Sequence, residues 1–199
     1  MNKITALLLS LLLAVGLVGC GGNPDKAKPA EKYGYHQAVI TIENYGEIHL
    51  ELDGDTAPIT VKNFVELAKA GFYDGLTIHR VAPNFVIQGG DPDGDGTGGS
   101  GKPIVGEFSS NGYENDISHK RGVISMARLS NDPNSATSQF FIMLEEDTRL
   151  DGDYAAFGRV TAGMDIVDKI AKETPVSDSY SGLVEKSKQP IIKSVVIEE

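Results

Sequence analysis

Short apolar runs, cut apart by glycine-bearing turns, recur along most of the chain, and this pattern most narrows the folds open to it. Val39–Ile42 and Ile48–Leu52 are two such runs, joined through Asn44-Tyr45-Gly46. Leu76–Val81, Phe85–Gln88, Gly122–Met126, Gln139–Leu144, Ala155–Val160 and Ile191–Ile197 read as further short strands. Only two stretches have a helical period. After Pro58, which stops what precedes it, Val61, Phe64, Val65 and Ala68 recur at helical spacing, with Thr60 as N-cap and Gly71 as stop. Met164–Ala171 repeats the pattern, with Ile166, Val167 and Ile170 on one face. Many short strands and two helices far apart in sequence suit a mainly β chain closed into an antiparallel barrel better than a doubly wound sheet. Closure also removes exposed strand edges.

The first residues do not belong to that pattern. Lys3 and then an apolar stretch from Ile4 to Val18 have the form of an export signal. The stretch is shorter than the roughly 20 residues of a spanning helix. Leu17-Val18-Gly19-Cys20 resembles the lipobox of bacterial lipoproteins, and Cys20 is the only cysteine of the chain. The resemblance implies cleavage after residue 19 and acylation of Cys20, and more than one acyl chain gives stable anchoring. The expected organisation is a signal over 1–19, a lipidated Cys20 with a small, polar, Pro-punctuated tether over 20–34, and a folded domain over 35–199. The expected location is the extracytoplasmic face of a bacterial cell envelope.

Charge and cysteine count exclude several functions. Loss of 1–19 takes Lys3 from 18 basic residues and none of the 28 acidic ones, so a net charge of −10 becomes still more negative. No basic run is left to grip phosphates, which argues against nucleic acid as a partner. Disulfides, cysteine-ligated zinc and a cysteine nucleophile are excluded by count. His36, His49, His79 and His119 have no metal-ligand spacing, and no metal or cofactor is expected. The loop Gly96-Thr-Gly-Gly-Ser-Gly101-Lys102 starts like a phosphate-binding loop, but Pro103 stands where Ser or Thr would hold magnesium. Asp91-Pro-Asp93-Gly-Asp95-Gly96 starts like a calcium loop, but Lys102 stands where its closing Glu would be. Both read better as a solvated loop. Ser125 and Ser138 lack the Gly-flanked turn of a hydrolase nucleophile.

Three segments carry more information. They are Phe72 to Asp91, with Ile-His-Arg80-Val and Asn-Phe85-Val86-Ile-Gln88-Gly-Gly-Asp; Ile124 to Ile142, with Ala127-Arg128-Leu129 and Ser-Gln139-Phe-Phe141-Ile; and Leu150 to Val160, with Tyr154. Around a Pro83 turn, paired strands would bring Arg80, Phe85 and Gln88 onto one face. Taken singly, Arg80 also reads as a solvated or ion-paired arginine, Phe85 and Phe141 as core, and Gln88 and Gln139 as satisfying backbone groups.

Together these segments resemble the cyclophilin family of peptidyl-prolyl cis-trans isomerases, over roughly residues 36 to 199. The resemblance implies a closed eight-stranded antiparallel barrel capped by two helices. It makes Arg80 the catalytic guanidinium, with Phe85, Phe141 and Leu150 forming a pocket for the proline ring and Gln88 orienting Arg80. Val86 stands where the family often has Met. Ala127, Arg128, Leu129 and Gln139 would line the groove for residues before the proline, with the Arg128 N–H donating to the peptide. Arg149 occupies the position of a family Trp known for contact with cyclosporin. Tyr154 occupies that of a frequent His, where it can pack on the proline. The implied activity is isomerisation of X–Pro bonds in exported or envelope polypeptides by a monomer. One alternative remains open from sequence, an envelope chaperone that holds proline-containing segments with incidental catalysis; a lipid-anchored solute-binding protein fits the anchor but not the domain, which is too short for two lobes.

Overall fold

The computed structural model describes residues 31–178 and 180–198. Cys20, the signal over 1–19 and most of the tether therefore lie outside the described residues. Eight strands and two helices follow in chain order. They are β1 (Tyr35–Ile42), β2 (Gly46–Asp53), α1 (Pro58–Lys69), β3 (Thr77–Ala82), β4 (Val86–Asp91), β5 (Val123–Met126), β6 (Phe140–Met143), β7 (Ala156–Ala162), α2 (Met164–Glu173) and β8 (Ile192–Glu198).

All strands join one sheet in the order β3-β4-β6-β5-β7-β2-β1-β8, and every paired neighbour is antiparallel. The sheet curls until its two end strands meet. That seam is narrow: a single Thr77–Ile191 bridge, with Ile78 N–H donating to Pro190 O and Ile192 N–H to Leu76 O. The eight-stranded barrel expected from the sequence is thus present, sealed at one end of its seam.

Alternation explains which residues are inside. Ala38, Ile40 and Ile42 on β1 and Ile48, Leu50 and Leu52 on β2 point to the core, while their neighbours face outward. β6 is apolar on both faces because each face has its own cluster. Phe140 and Ile142 enter the main core, and Phe141 and Met143 join Val86, Val123 and Ala156 on the other side. Phe64 of α1 packs on Tyr73, Phe140 and Phe157 at 5.1, 5.8 and 5.4 Å between ring centroids.

α1 starts differently from the sequence reading. Pro58 opens the helix instead of ending what precedes it, since its missing N–H falls where no intrahelical partner exists. Thr60 is not the N-cap. It lies in the first turn, where its N–H and hydroxyl both donate to Glu107, each at 2.7 Å, and Ile59 N–H donates to the same carboxylate at 3.1 Å. A buried carboxylate from a distant loop thus does the work of a local cap, at the positive end of the helix dipole. Burial raises the Glu107 pKa, and its bonds to Thr60 and Ile59 oppose that rise.

The domain's contacts also begin earlier than expected. Tyr33 N–H donates to Gly54 O, Gly54 N–H to Gly34 O, and Gly34 N–H to Asp55. With Lys32, whose Nζ lies 3.3 Å from Asp55 Oδ2, three residues assigned to the tether are bonded to the domain.

Candidate active site

Strand register builds the site. Arg80 on β3 pairs with Gln88 on β4, Gln88 pairs with Phe141 on β6, and Phe141 pairs with Ser125 on β5. Directly paired residues share a face of a sheet. A guanidinium, an amide and an aromatic ring that are far apart in sequence therefore stand in one row. The turn at Asn84 (φ 61) returns the chain so that Phe85 lies beside Arg80, 5.8 Å from guanidinium carbon to ring centroid.

Arg80 is held from two sides. Its Nε donates to Ser181 O at 2.7 Å and its Nη1 to Gln88 Oε1 at 3.1 Å. Gln88 Nε2 then donates to Gln139 Oε1 at 2.9 Å, and Gln139 Nε2 donates to Gly96 O and Gly98 O at 3.1 and 2.8 Å. Each amide is thus oriented by the next, and the string ends on backbone carbonyls. Burial lowers the Arg80 pKa, opposed by Tyr154, yet a guanidinium keeps its charge at any working pH. Ser181 belongs to a loop whose Gly182 has φ 75, and a Cβ there would lie 2.6 Å from Val81 O. Only glycine lets this loop lie against β3, where Val81 N–H donates to Gly182 O.

The cleft beside Arg80 measures about 210 Å³ and is lined by Arg80, Phe85, Val86, Gln88, Ala127, Arg128, Phe141, Leu150 and Tyr154. Pockets for drug-sized ligands run to about 300–1,000 Å³, so this one suits a side-chain-sized group. Two residues assigned to the groove from sequence do not line it. Gln139 is 9% exposed and stands behind Gln88, bonded to the glycine-rich loop. Leu129 is 64% exposed, because its N–H is drawn to Ser135 Oγ and its side chain turns to solvent. Arg149 lies outside the lining, paired with Asp147 at 2.6 Å.

The Asp-rich loop next to the site is organised by its own first residue. Both oxygens of the buried Asp91 accept backbone N–H groups, from Asp93 at 2.8 Å and from Asp95 and Gly96 at 3.1 and 2.6 Å. Its lone pairs are therefore turned toward the loop, the geometry of an Asx turn.

Sequence reasoning missed His119. Its ring is buried, stacked 6.0 Å from Phe141 and edge-on to Tyr154 at 6.5 Å. Nδ1 lies 2.8 Å from Asp151 Oδ1 and Nε2 lies 3.1 Å from Ser125 Oγ. These are the residue types of a hydrolase triad, but Ser125 is fully buried within β5 and cannot meet a substrate. The string instead ties the Asp147–Asp151 segment, which carries Leu150, to the floor under Phe141. Only a signal for β5 pairing could have brought His119 to this place.

Burial lowers the pKa of His79, against the opposing charge of Asp91, and of His119, against the bond to Asp151. A proton therefore favours the unfolded chain at both sites. Their contribution is whole above the unfolded value of 6.5 and is lost as pH falls through it toward the lower folded values. The raised Glu107 acts in the opposite sense, its contribution fading as pH rises above its ordinary 4.5. The midpoint of thermal unfolding is expected to fall between pH 7.5 and 5.5, and His119→Gln to reduce that fall. A flat profile across this range would contradict the assignment.

Comparison with known proteins agrees with this geometry. Residues 38–199 match the family described as cyclophilin type peptidyl-prolyl cis-trans isomerase/CLD. Peptidyl-prolyl cis-trans isomerase B of Bacillus subtilis is 44% identical over 130 residues, 65% of this chain and 87% of that one. Peptidyl-prolyl cis-trans isomerase-like 2 of Cryptococcus neoformans is 42% identical over 154 residues, 75% of this chain, and the match spans only 26% of that longer protein. A crystal structure of a cyclophilin type isomerase of Cryptosporidium parvum, obtained in the presence of the dipeptide Ala-Pro, superposes with a TM-score of 0.72 at 32% identity, covering 82% of this chain and 99% of that one. A guanidinium fixed beside an apolar slot, on a curled sheet of this topology and with this sequence match, makes the chain a member of the cyclophilin-type peptidyl-prolyl cis-trans isomerase family.

Proposed function

We propose that the chain isomerises X–Pro bonds of exported or envelope polypeptides while held by lipid on Cys20 at the outer face of a bacterial membrane. The observation that carries the catalytic part is the doubly anchored Arg80 guanidinium facing a slot lined by Phe85, Phe141 and Leu150. Resonance makes the X–Pro C–N bond partly double, with a barrier of about 18–20 kcal/mol. Uncatalysed interconversion takes tens to hundreds of seconds. In the twisted state the proline nitrogen turns pyramidal and gains a lone pair. Arg80 donates a hydrogen bond to that nitrogen, a bond unavailable in either planar ground state, and so binds the transition state selectively. Phe85, Phe141 and Leu150 hold the ring and exclude water, which strengthens the bond. A 10⁵-fold acceleration corresponds to roughly 7 kcal/mol. One charged hydrogen bond supplies about 1.5–3 kcal/mol, so grip on the ring and the flanking peptide supplies the remainder.

The anchored location rests on the lipobox-like Leu17-Val18-Gly19-Cys20 behind an export-type apolar stretch. No helix among the described residues is long and apolar enough to cross a membrane. Residues 21–32 would let the domain reach at most roughly 40 Å from the lipid. A protease-coupled assay on a proline tetrapeptide tests the activity, with acceleration expected and its absence overturning the reading. In bacteria expressing the full chain and fed a labelled fatty acid, the protein should take up the label and Cys20→Ser should not, with catalysis unchanged. An unlabelled parent chain, or a Cys20→Ser variant labelled as well as the parent, would overturn the anchor.

A further inference from the structure

The cleft is lined by two guanidiniums, Arg80 and Arg128, and by no carboxylate, although the chain as a whole carries a net charge of −10. Neither arginine joins an ion pair among the described residues, whereas Arg121, Arg149 and Arg159 each pair with a carboxylate. Arg128 is also fixed. Its guanidinium carbon lies 4.7 Å from the centroid of Tyr154 and 5.2 Å from that of Phe108. Its Nε donates to Asp153 O at 2.9 Å, and its Nη1 to Leu129 O and Ser130 O at 2.8 and 3.2 Å. These acceptors orient the plane and carry no net charge. Two aromatic faces and three carbonyls therefore hold a cation whose charge no partner neutralises.

The neighbouring carboxylates are engaged elsewhere. Asp153 Oδ1 accepts from Ser110 Oγ at 2.7 Å, and Asp151 accepts from Ser118 and the His119 N–H at 2.7 Å each. Asp132 Oδ1 accepts from Asn134 N–H at 2.8 Å, and Asp147 pairs with Arg149. None of these bonds runs to Arg128. Nη2 has no protein acceptor among the described residues in either lining arginine; that of Arg80 is left for the proline nitrogen, and that of Arg128 for a group beside it.

We propose that Arg128 is a specificity residue, and that the cleft selects X–Pro segments in which a carboxylate side chain stands next to the proline. The inference rests on the isomerase reading and names the substrate class of that same site. A carboxylate there gains a charge-assisted hydrogen bond from a donor already held in place, whereas a lysine meets two like charges. Ring and peptide contacts are common to all substrates, so the preference is a ratio between substrates.

The test measures kcat/KM by exchange NMR for the full chain with tetrapeptides bearing Glu, Gln or Lys on either side of the proline. The expected result is the order Glu over Gln over Lys on at least one side, with Glu at least fivefold above Lys. The gap should narrow in about 1 M salt, where screening shortens to ~3 Å. Arg128→Gln should reduce the Glu-to-Lys ratio at least threefold, and Arg128→Lys should keep the order. Equal rates for all three residues on both sides, or a ratio unchanged in Arg128→Gln, would overturn the preference and leave the isomerase reading standing. Failure to isomerise any of the peptides would overturn that reading and the preference with it.

Discussion

Replacing Arg80 by alanine is expected to lower kcat/KM for a proline tetrapeptide by roughly ten- to a hundredfold without unfolding the domain. The range follows from losing one charged hydrogen bond of about 1.5–3 kcal/mol, at about 1.4 kcal/mol per decade of rate. The fold should survive because Arg80 is only half-buried and belongs to neither apolar cluster. Arg80→Lys should also be impaired. The donors of an ammonium radiate from one atom and cannot replace a planar fork that reaches Ser181 O and Gln88 Oε1 from two separate nitrogens and keeps a third for the slot. Steady-state kinetics with circular dichroism decides the matter. Near-normal turnover by a folded Arg80→Ala would remove Arg80 from the chemistry.

Phe141→Ala should produce the other large effect, and on two quantities together. Phe141 is 5% exposed, packs with Val86, Val123, Met143 and Ala156, and meets the rings of His119 and Tyr154 at 6.0 and 5.8 Å. Truncating a buried Phe costs about 3–5 kcal/mol of stability. The same ring forms a wall of the cleft, so KM for the tetrapeptide should rise. Phe141→Leu keeps most of the volume and separates the effects, with stability nearly restored and proline recognition still weakened. Denaturant unfolding beside KM measurements reads both. An Ala variant as stable as the parent would show that this ring is not the keystone of the second cluster.

How much of this was legible in the sequence depends on the range of each interaction. Strand positions followed from alternation, and each of the eight apolar runs became a strand within a few residues. The row of Arg80, Gln88 and Phe141 came from motif resemblance, since spacing alone could not show that β4 pairs with both β3 and β6. Interactions closing over long stretches of chain were hidden. Glu107 holds the start of α1 from 47 residues away, and Ser181 holds Arg80 from 101 residues away. No local pattern predicts either contact, because each carboxylate or carbonyl is ordinary in its own segment. Gln139 was misplaced for a related reason. It stands two residues before Phe141, but three hydrogen bonds hold its amide to Gln88 and the glycine-rich loop. Thr60 and Pro58 misled because local capping rules assume that a helix satisfies its own first turn.

The central claim is that Arg80 beside the apolar slot accelerates rotation about the bond it holds. Exchange NMR on an Ala-Pro-containing peptide reads this most directly, since it observes bound peptide and isomer interconversion in one sample. Cis–trans exchange cross-peaks are expected at catalytic concentrations of the parent chain, with an exchange rate lowered roughly ten- to a hundredfold in Arg80→Ala while the peptide still binds. Peptide binding to the parent chain without accelerated exchange would contradict the claim and leave a protein that holds proline segments but does not turn them.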